Sequence, residues 1–152
     1  MKPILLIVVG GLTVALLAGC ATSGLYKKRS DLVSDVAACA AKRFEVYFDQ
    51  DQARLTPVAR EAVRLTAAQL QGCNVTRVRV LGLADARSGT AAANQSLSER
   101  RARSVAEALS EVGLPAPAFE VAAAGADGAV VNGVNDPLRR RTEVLIEAAP
   151  RR

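Results

Sequence analysis

The chain has 152 residues, a formal net charge of +5 and no histidine. That length holds one modest domain and little more. The missing histidine rules out Ser-His-Asp and Cys-His catalysis and the usual mixed zinc sites. With two tyrosines and three phenylalanines and no basic stripe between them, the chain lacks a nucleic-acid surface; its mild positive charge suits an anionic one, such as cell wall or lipid headgroups.

The first residues read as an export signal. Lys2 supplies a positive start, and Ile4 to Val9 with Leu12 to Leu17 form an apolar run. Its length of about fifteen residues suits a signal-peptide core and falls short of the roughly 20 needed to span a bilayer. It ends in Leu17-Ala18-Gly19-Cys20. Small residues admit the backbone to a peptidase cleft, and the cysteine thiol can take a diacylglycerol. This segment resembles the lipobox of bacterial lipoproteins, which implies cleavage of residues 1–19 and lipidation of Cys20. Ala21, in place of aspartate, implies sorting to the outer membrane with the domain facing the periplasm.

Residues 20–42 are expected to be a lipidated leader, with Lys27-Lys28-Arg29 solvated and a helical turn or two over 31–42. Fully extended, the roughly 23 residues from Cys20 to Phe44 span at most about 75–80 Å at about 3.3 Å each. In an oxidising compartment Cys39 and Cys73 are expected to pair, since they precede the first two predicted strands; two buried free thiols are the alternative.

The domain is expected over 43–148. FEVYFDQ (44–50) alternates as a strand, with Phe44, Val46 and Phe48 on one face. Thr56-Pro57 starts a helix, Leu55, Val58, Ala62 and Leu65 make its apolar stripe, and Gly72 stops it. VTRVRVLG (75–82) is a second strand, with Val78 and Val80 opposite Arg77 and Arg79. A second helix covers 91–112 and ends at Gly113. FEVAAAG (119–125) and TEVLIEA (142–148) are strands three and four, joined by a Gly/Asn/Asp-rich loop. The order β-α-β-α-β-β predicts an α+β two-layer sandwich, a mixed four-stranded sheet with helices on one face.

The second helix carries the unusual feature. At about 100° per residue, Leu97, Val105, Ala108, Leu109 and Val112 form the buried stripe. Asn94, Ser98 and Arg101 fall inside that stripe, at its N-terminal end. A guanidinium there needs an anion, and Asp85 in the preceding loop is the candidate. Two readings stay open: a structural Asp85–Arg101 pair that fixes the loop, or a site where Arg101 grips a ligand carboxylate and Asp85 its ammonium.

GLADARSGTAAANQSLSERRARSV (82–105) carries Gly82, Asp85, Gly89, Asn94, Leu97, Ser98, Arg101, Ala102 and Val105 at the spacing of Gly-x-x-Asp, a glycine, then Asn-x-x-Leu-Ser-x-x-Arg-Ala-x-x-Val. That pattern resembles the signature of the OmpA-like peptidoglycan-binding domain. FEVYFDQDQARLTP resembles the family's opening and RRRTEVLIE its closing Asn-Arg-Arg-Val-Glu strand, so the likeness covers about residues 43–147. The resemblance implies a non-enzymatic domain that holds peptidoglycan non-covalently through the diaminopimelate of the stem peptide. It assigns the amino-acid end to Asp85, the carboxylate to Arg101 and loop support to Asn94. With Cys20, it implies a Pal-type lipoprotein tethering the outer membrane to the wall.

The chain departs from the pattern in four ways. Leu83-Ala84 stand where the family has His/Tyr-Thr, the Asp85–Gly89 spacing is one residue longer, Arg139 replaces an asparagine, and the loop 126–138 is short. They motivate the alternative of a structural component of an envelope assembly, with the fold kept and peptidoglycan binding weak or lost. Asp49 and Asp51 read as caps of the loop before Thr56. No catalytic residue, metal or cofactor is expected.

Overall fold

The structure is a computed structural model that describes residues 38–87, 89–115 and 118–151. The signal segment, Cys20 and the leader to residue 37 lie outside the described residues. Strand β1 is Lys42–Tyr47, helix α1 is Pro57–Ala68 and β2 is Cys73–Gly82. Helix α2 is Ala91–Glu111, β3 is Phe119–Ala123 and β6 is Arg141–Pro150. Between them lies a hairpin, β4 (Val130–Val131) and β5 (Val134–Asn135), followed by a 3-10 turn over Pro137–Arg139.

The sheet runs β1-β6-β2-β3. β6 pairs antiparallel with both β1 and β2, and β3 pairs parallel with β2. The expected α+β sandwich with a mixed four-stranded sheet is therefore present. The hairpin is new relative to the expected loop. Its turn is Asn132-Gly133, both at positive φ (53° and 77°), the backbone that a two-residue hairpin turn demands.

Both helices begin as their sequences dictate. Thr56 and Thr90 cap α1 and α2 by accepting hydrogen bonds from Ala59 N and Ala93 N, each at 3.2 Å. The core joins Val46, Val78, Val80, Val144 and Ile146 of the sheet to Val63 of α1 and Val105 and Leu109 of α2. A bulge between Val75 and Arg77 inserts one residue, so Val75 packs on the same core as Val78 while Arg77 and Arg79 face away. On that open face Arg77 and Arg79 pair with Glu120 and Glu147.

The α1 stripe differs from expectation. Val58 is 79% exposed and Leu65 49%, while Val63 is buried. The helix is turned so that Ala59, Val63 and Ala67 face the core, a narrow contact through small side chains. The expected Cys39–Cys73 disulfide is present, with a Cα–Cα distance of 5.6 Å. It joins the start of β2 to the chain just before β1, at the end of the sheet opposite Gly82.

Candidate functional site

Strands β1 and β2 finish at the same end of the sheet where β6 begins. That end gathers the Asp49–Gln52 loop, the Leu83–Asp85 segment and Arg140. Gly82 makes the approach of α2 possible. A Cβ there would lie 2.0 Å from the Ser98 carbonyl oxygen, so only glycine lets the helix sit this close to β2.

Close packing carries Arg101 into the interior, where its side chain is fully buried. Its Nε donates to Gln52 O at 2.8 Å, Nη1 to Leu83 O at 2.9 Å and Nη2 to Asp49 O at 3.2 Å. The guanidinium also lies over the Phe48 ring, 5.1 Å from its centroid. Burial pulls the Arg101 pKa down to about 10, against the opposing effect of the Asp85 charge. Arg101 thus fastens the exits of β1 and β2 to one helix.

Asp85 is also fully buried, and its Oδ2 accepts from Arg140 Nη1 at 3.0 Å. The Arg140 side chain is 27% exposed, so the ion pair has one member at the surface and one in the interior. Asn94, buried, donates from Nδ2 to Gly89 O at 3.4 Å, while its Oδ1 is buried without a donor. Ser98 Oγ donates to Gln95 O and accepts from Gly125 N, tying α2 to the loop after β3. Beside Asn94, a cleft of about 580 Å³ opens between the N-terminus of α2 and the segment Gly125 to Asp127.

The structure therefore brings Asp85, Arg101 and Asn94 to one end of the domain, around the start of α2. It adds Arg140, which stands in the sequence within the run Arg139-Arg140-Arg141. The neighbouring arginines turn elsewhere. Arg139 donates to Asp127 O, and Arg141 binds Glu45 and Glu143. The signal that could have found Arg140 was a basic run closing a strand at the edge of a site that already held a buried aspartate.

Comparison with known proteins places this arrangement. Residues 47–142 match the OmpA family. The outer-membrane lipoprotein YfiB of Pseudomonas aeruginosa is 34% identical over 107 residues, covering 68% of this chain and 63% of that protein. Outer membrane protein A of Escherichia coli O157:H7 is 34% identical over 110 residues, covering 71% of this chain and 32% of that protein. The chain thus spans less than two thirds of either relative. Among solved structures, the peptidoglycan-associated lipoprotein of Burkholderia pseudomallei superposes with a TM-score of 0.59 at 26% identity, covering 70% of this chain and 91% of that one. The family match extends from the last residue of β1 to the start of β6 and takes in the whole candidate site: the chain belongs to the OmpA family.

Proposed function

We propose that this protein binds peptidoglycan non-covalently and, anchored by lipid on Cys20, tethers the outer membrane to the cell wall. The ligand is the amino-acid end of the stem-peptide diaminopimelate, and the chain performs no chemistry on it. The observation that carries this reading is the buried carboxylate of Asp85, held with arginines at one end of the domain. Such an end suits a group bearing both an ammonium and a carboxylate. Relatives named as an outer-membrane lipoprotein and a peptidoglycan-associated lipoprotein support the location and the partner. The disulfide lies at the opposite end of the sheet, so the leader leaves from the pole away from the ligand.

The test is sedimentation of the full-length chain, in mild detergent, with purified sacculi. Wild type is expected in the pellet, and Asp85→Asn in the supernatant. Wild type left in the supernatant at low salt would defeat the reading.

A second reading has its own observation. Asp85 and Arg101 are both shut off from solvent and already engaged within the chain. A domain in that state serves equally as a structural component of an envelope assembly. Failure to sediment, with the fold intact, favours it.

A further inference from the structure

Along its outer flank, α2 stands clear of β3. An open groove of about 850 Å³ runs between them. Its floor is Ala102 and Ala106 of α2 with Phe119 and Val121 of β3, and the small alanines leave the gap that larger side chains would fill. Val121 is 51% exposed there.

The groove follows a free backbone edge. β3 ends the sheet, paired with β2 on one side only. Ala124 N turns inward to Gly82 O. The backbone alternates along a strand, so the main-chain groups of Glu120 and Ala122 also face β2, and those of Phe119, Val121 and Ala123 face outward. Gln95 shows the direction: its Nε2 donates to Ala123 O from α2, at 3.5 Å. Among the described residues no strand takes the outward groups of Phe119 and Val121. Such a row is a template for an added strand.

The rim selects the occupant. Glu99, Glu107 and Glu111 line the groove against one cation, Arg103. None of the three carboxylates is in an ion pair among the described residues, and Glu111 ends α2, where the helix dipole adds negative charge. A second copy would set this acidic rim against its own double. A basic strand fits it. Glu99 and Glu107 are about 12 Å apart along the helix at about 1.5 Å per residue. Side chains at i and i+4 of a strand are about 13 Å apart on one face. Lysines at those two positions would lay their stems over the alanines and bring their ammonium groups to the carboxylates. The position between them faces Arg103 and Val121 and takes an uncharged aliphatic side chain.

We infer that the β3 edge and its groove form a docking surface for an extended, basic segment of another protein chain, which adds as a fifth strand beside β3. Main-chain bonds to Phe119, Val121 and Ala123 hold the segment, and Glu99 and Glu107 read its two basic residues. The surface is separate from Asp85 and Arg101, so this inference is independent of wall binding.

The experiment titrates the full-length ¹⁵N-labelled chain, in micelles of an uncharged detergent, with the capped peptide Lys-Thr-Val-Thr-Lys. Its counterpart Glu-Thr-Val-Thr-Glu is titrated beside it. The amides of Val121 and Ala123 are expected to move with the lysine peptide and to gain protection from hydrogen exchange. The glutamate peptide should bind at least about tenfold more weakly. Reversing both exposed carboxylates, Glu99→Lys with Glu107→Lys, should invert that preference. Val121→Pro, which removes an outward N–H where an edge strand tolerates proline, should lose at least about tenfold. The inverted preference guards against a proline variant that fails to fold. No movement of these amides at about 1 mM peptide, equal binding of the two peptides, or an unchanged preference after charge reversal would each overturn the inference. Movement of the same amides with protein concentration alone would overturn it in favour of a second copy.

Discussion

Gly82 of β2 and Ser98 of α2 meet backbone to backbone: a methyl group on Gly82 would fall 2.0 Å from the Ser98 oxygen and 3.0 Å from the Ala102 Cβ. The contact presses α2 onto the sheet at the level where Arg101 turns inward. Neither backbone can move aside without breaking a strand or a helix. Gly82→Ala should therefore destabilise by more than about 3 kcal/mol, or abolish folding, in a urea melt followed by circular dichroism. A loss below about 1 kcal/mol would mean that the helix slides freely on the sheet.

Arg101 supplies a second prediction, with a pH dependence. Arg101→Met leaves the carbonyls of Asp49, Gln52 and Leu83 without their donor, and should cost about 2–4 kcal/mol at neutral pH. Burial puts the folded-state pKa at about 10, below the ordinary value for arginine. Above pH 10 the folded chain has begun to release this proton while the unfolded chain still holds it, so this residue's contribution makes stability rise with pH. Between about pH 9 and about pH 11, wild type should gain on Arg101→Met, by at most about 1.4 kcal/mol per pH unit above 10. A gap that shrinks with pH would contradict a buried guanidinium.

The disulfide closes a sequence separation of 34. On the chain-entropy argument, replacing Cys39 and Cys73 by alanine should cost about 3–4 kcal/mol. Thermal melts with and without reductant check this, since the reduced wild type should melt close to the double variant.

Tyr47 donates its hydroxyl to the Glu45 carboxylate on the open face of β1. That hydrogen bond, first among the causes, holds the phenol above its ordinary pKa. In a Tyr26→Phe background, absorbance titration should place Tyr47 ionisation above the usual tyrosine range, and Glu45→Gln should bring it back down. Because the folded pKa is raised, the associated stability is present below the ordinary value and is lost as pH climbs through the folded one.

How legible was this in the sequence? Helical spacing puts Asn94, Ser98 and Arg101 inside the buried stripe of α2, because Leu97, Val105, Ala108 and Leu109 fix one face along a long helix. The same logic misplaced the stripe of α1. Val58 and Leu65 lie exposed because the alanines at 59 and 67 allow a closer contact around Val63. The Val-Val-Asn-Gly-Val-Asn segment reads as loop from its Gly/Asn/Asp content, although Asn-Gly between valines is a turn signal in its own right. The Asp85–Arg140 pair was out of reach. Its members are 55 residues apart, and only the antiparallel placement of β6 beside β2 brings them together. The expectation that Arg101 needs an anion was answered by three neutral carbonyls and an aromatic ring, with Asp85 acting on it through its charge.

The disulfide also has a mechanical meaning. β1 is an edge strand held by β6 on one side only. A pull on the leader would, without the bond, peel β1 away rung by rung and then draw α1 out behind it. With Cys39 tied to Cys73, the tension passes straight into β2, which is flanked by β6 and β3, and travels along that strand toward Asp85. The intervening segment, with β1 and α1, is lifted out of the load path. In the tether proposed above, strain between membrane and wall would then stretch an inner strand along its length, where many hydrogen bonds resist together, in place of unzipping an edge one at a time.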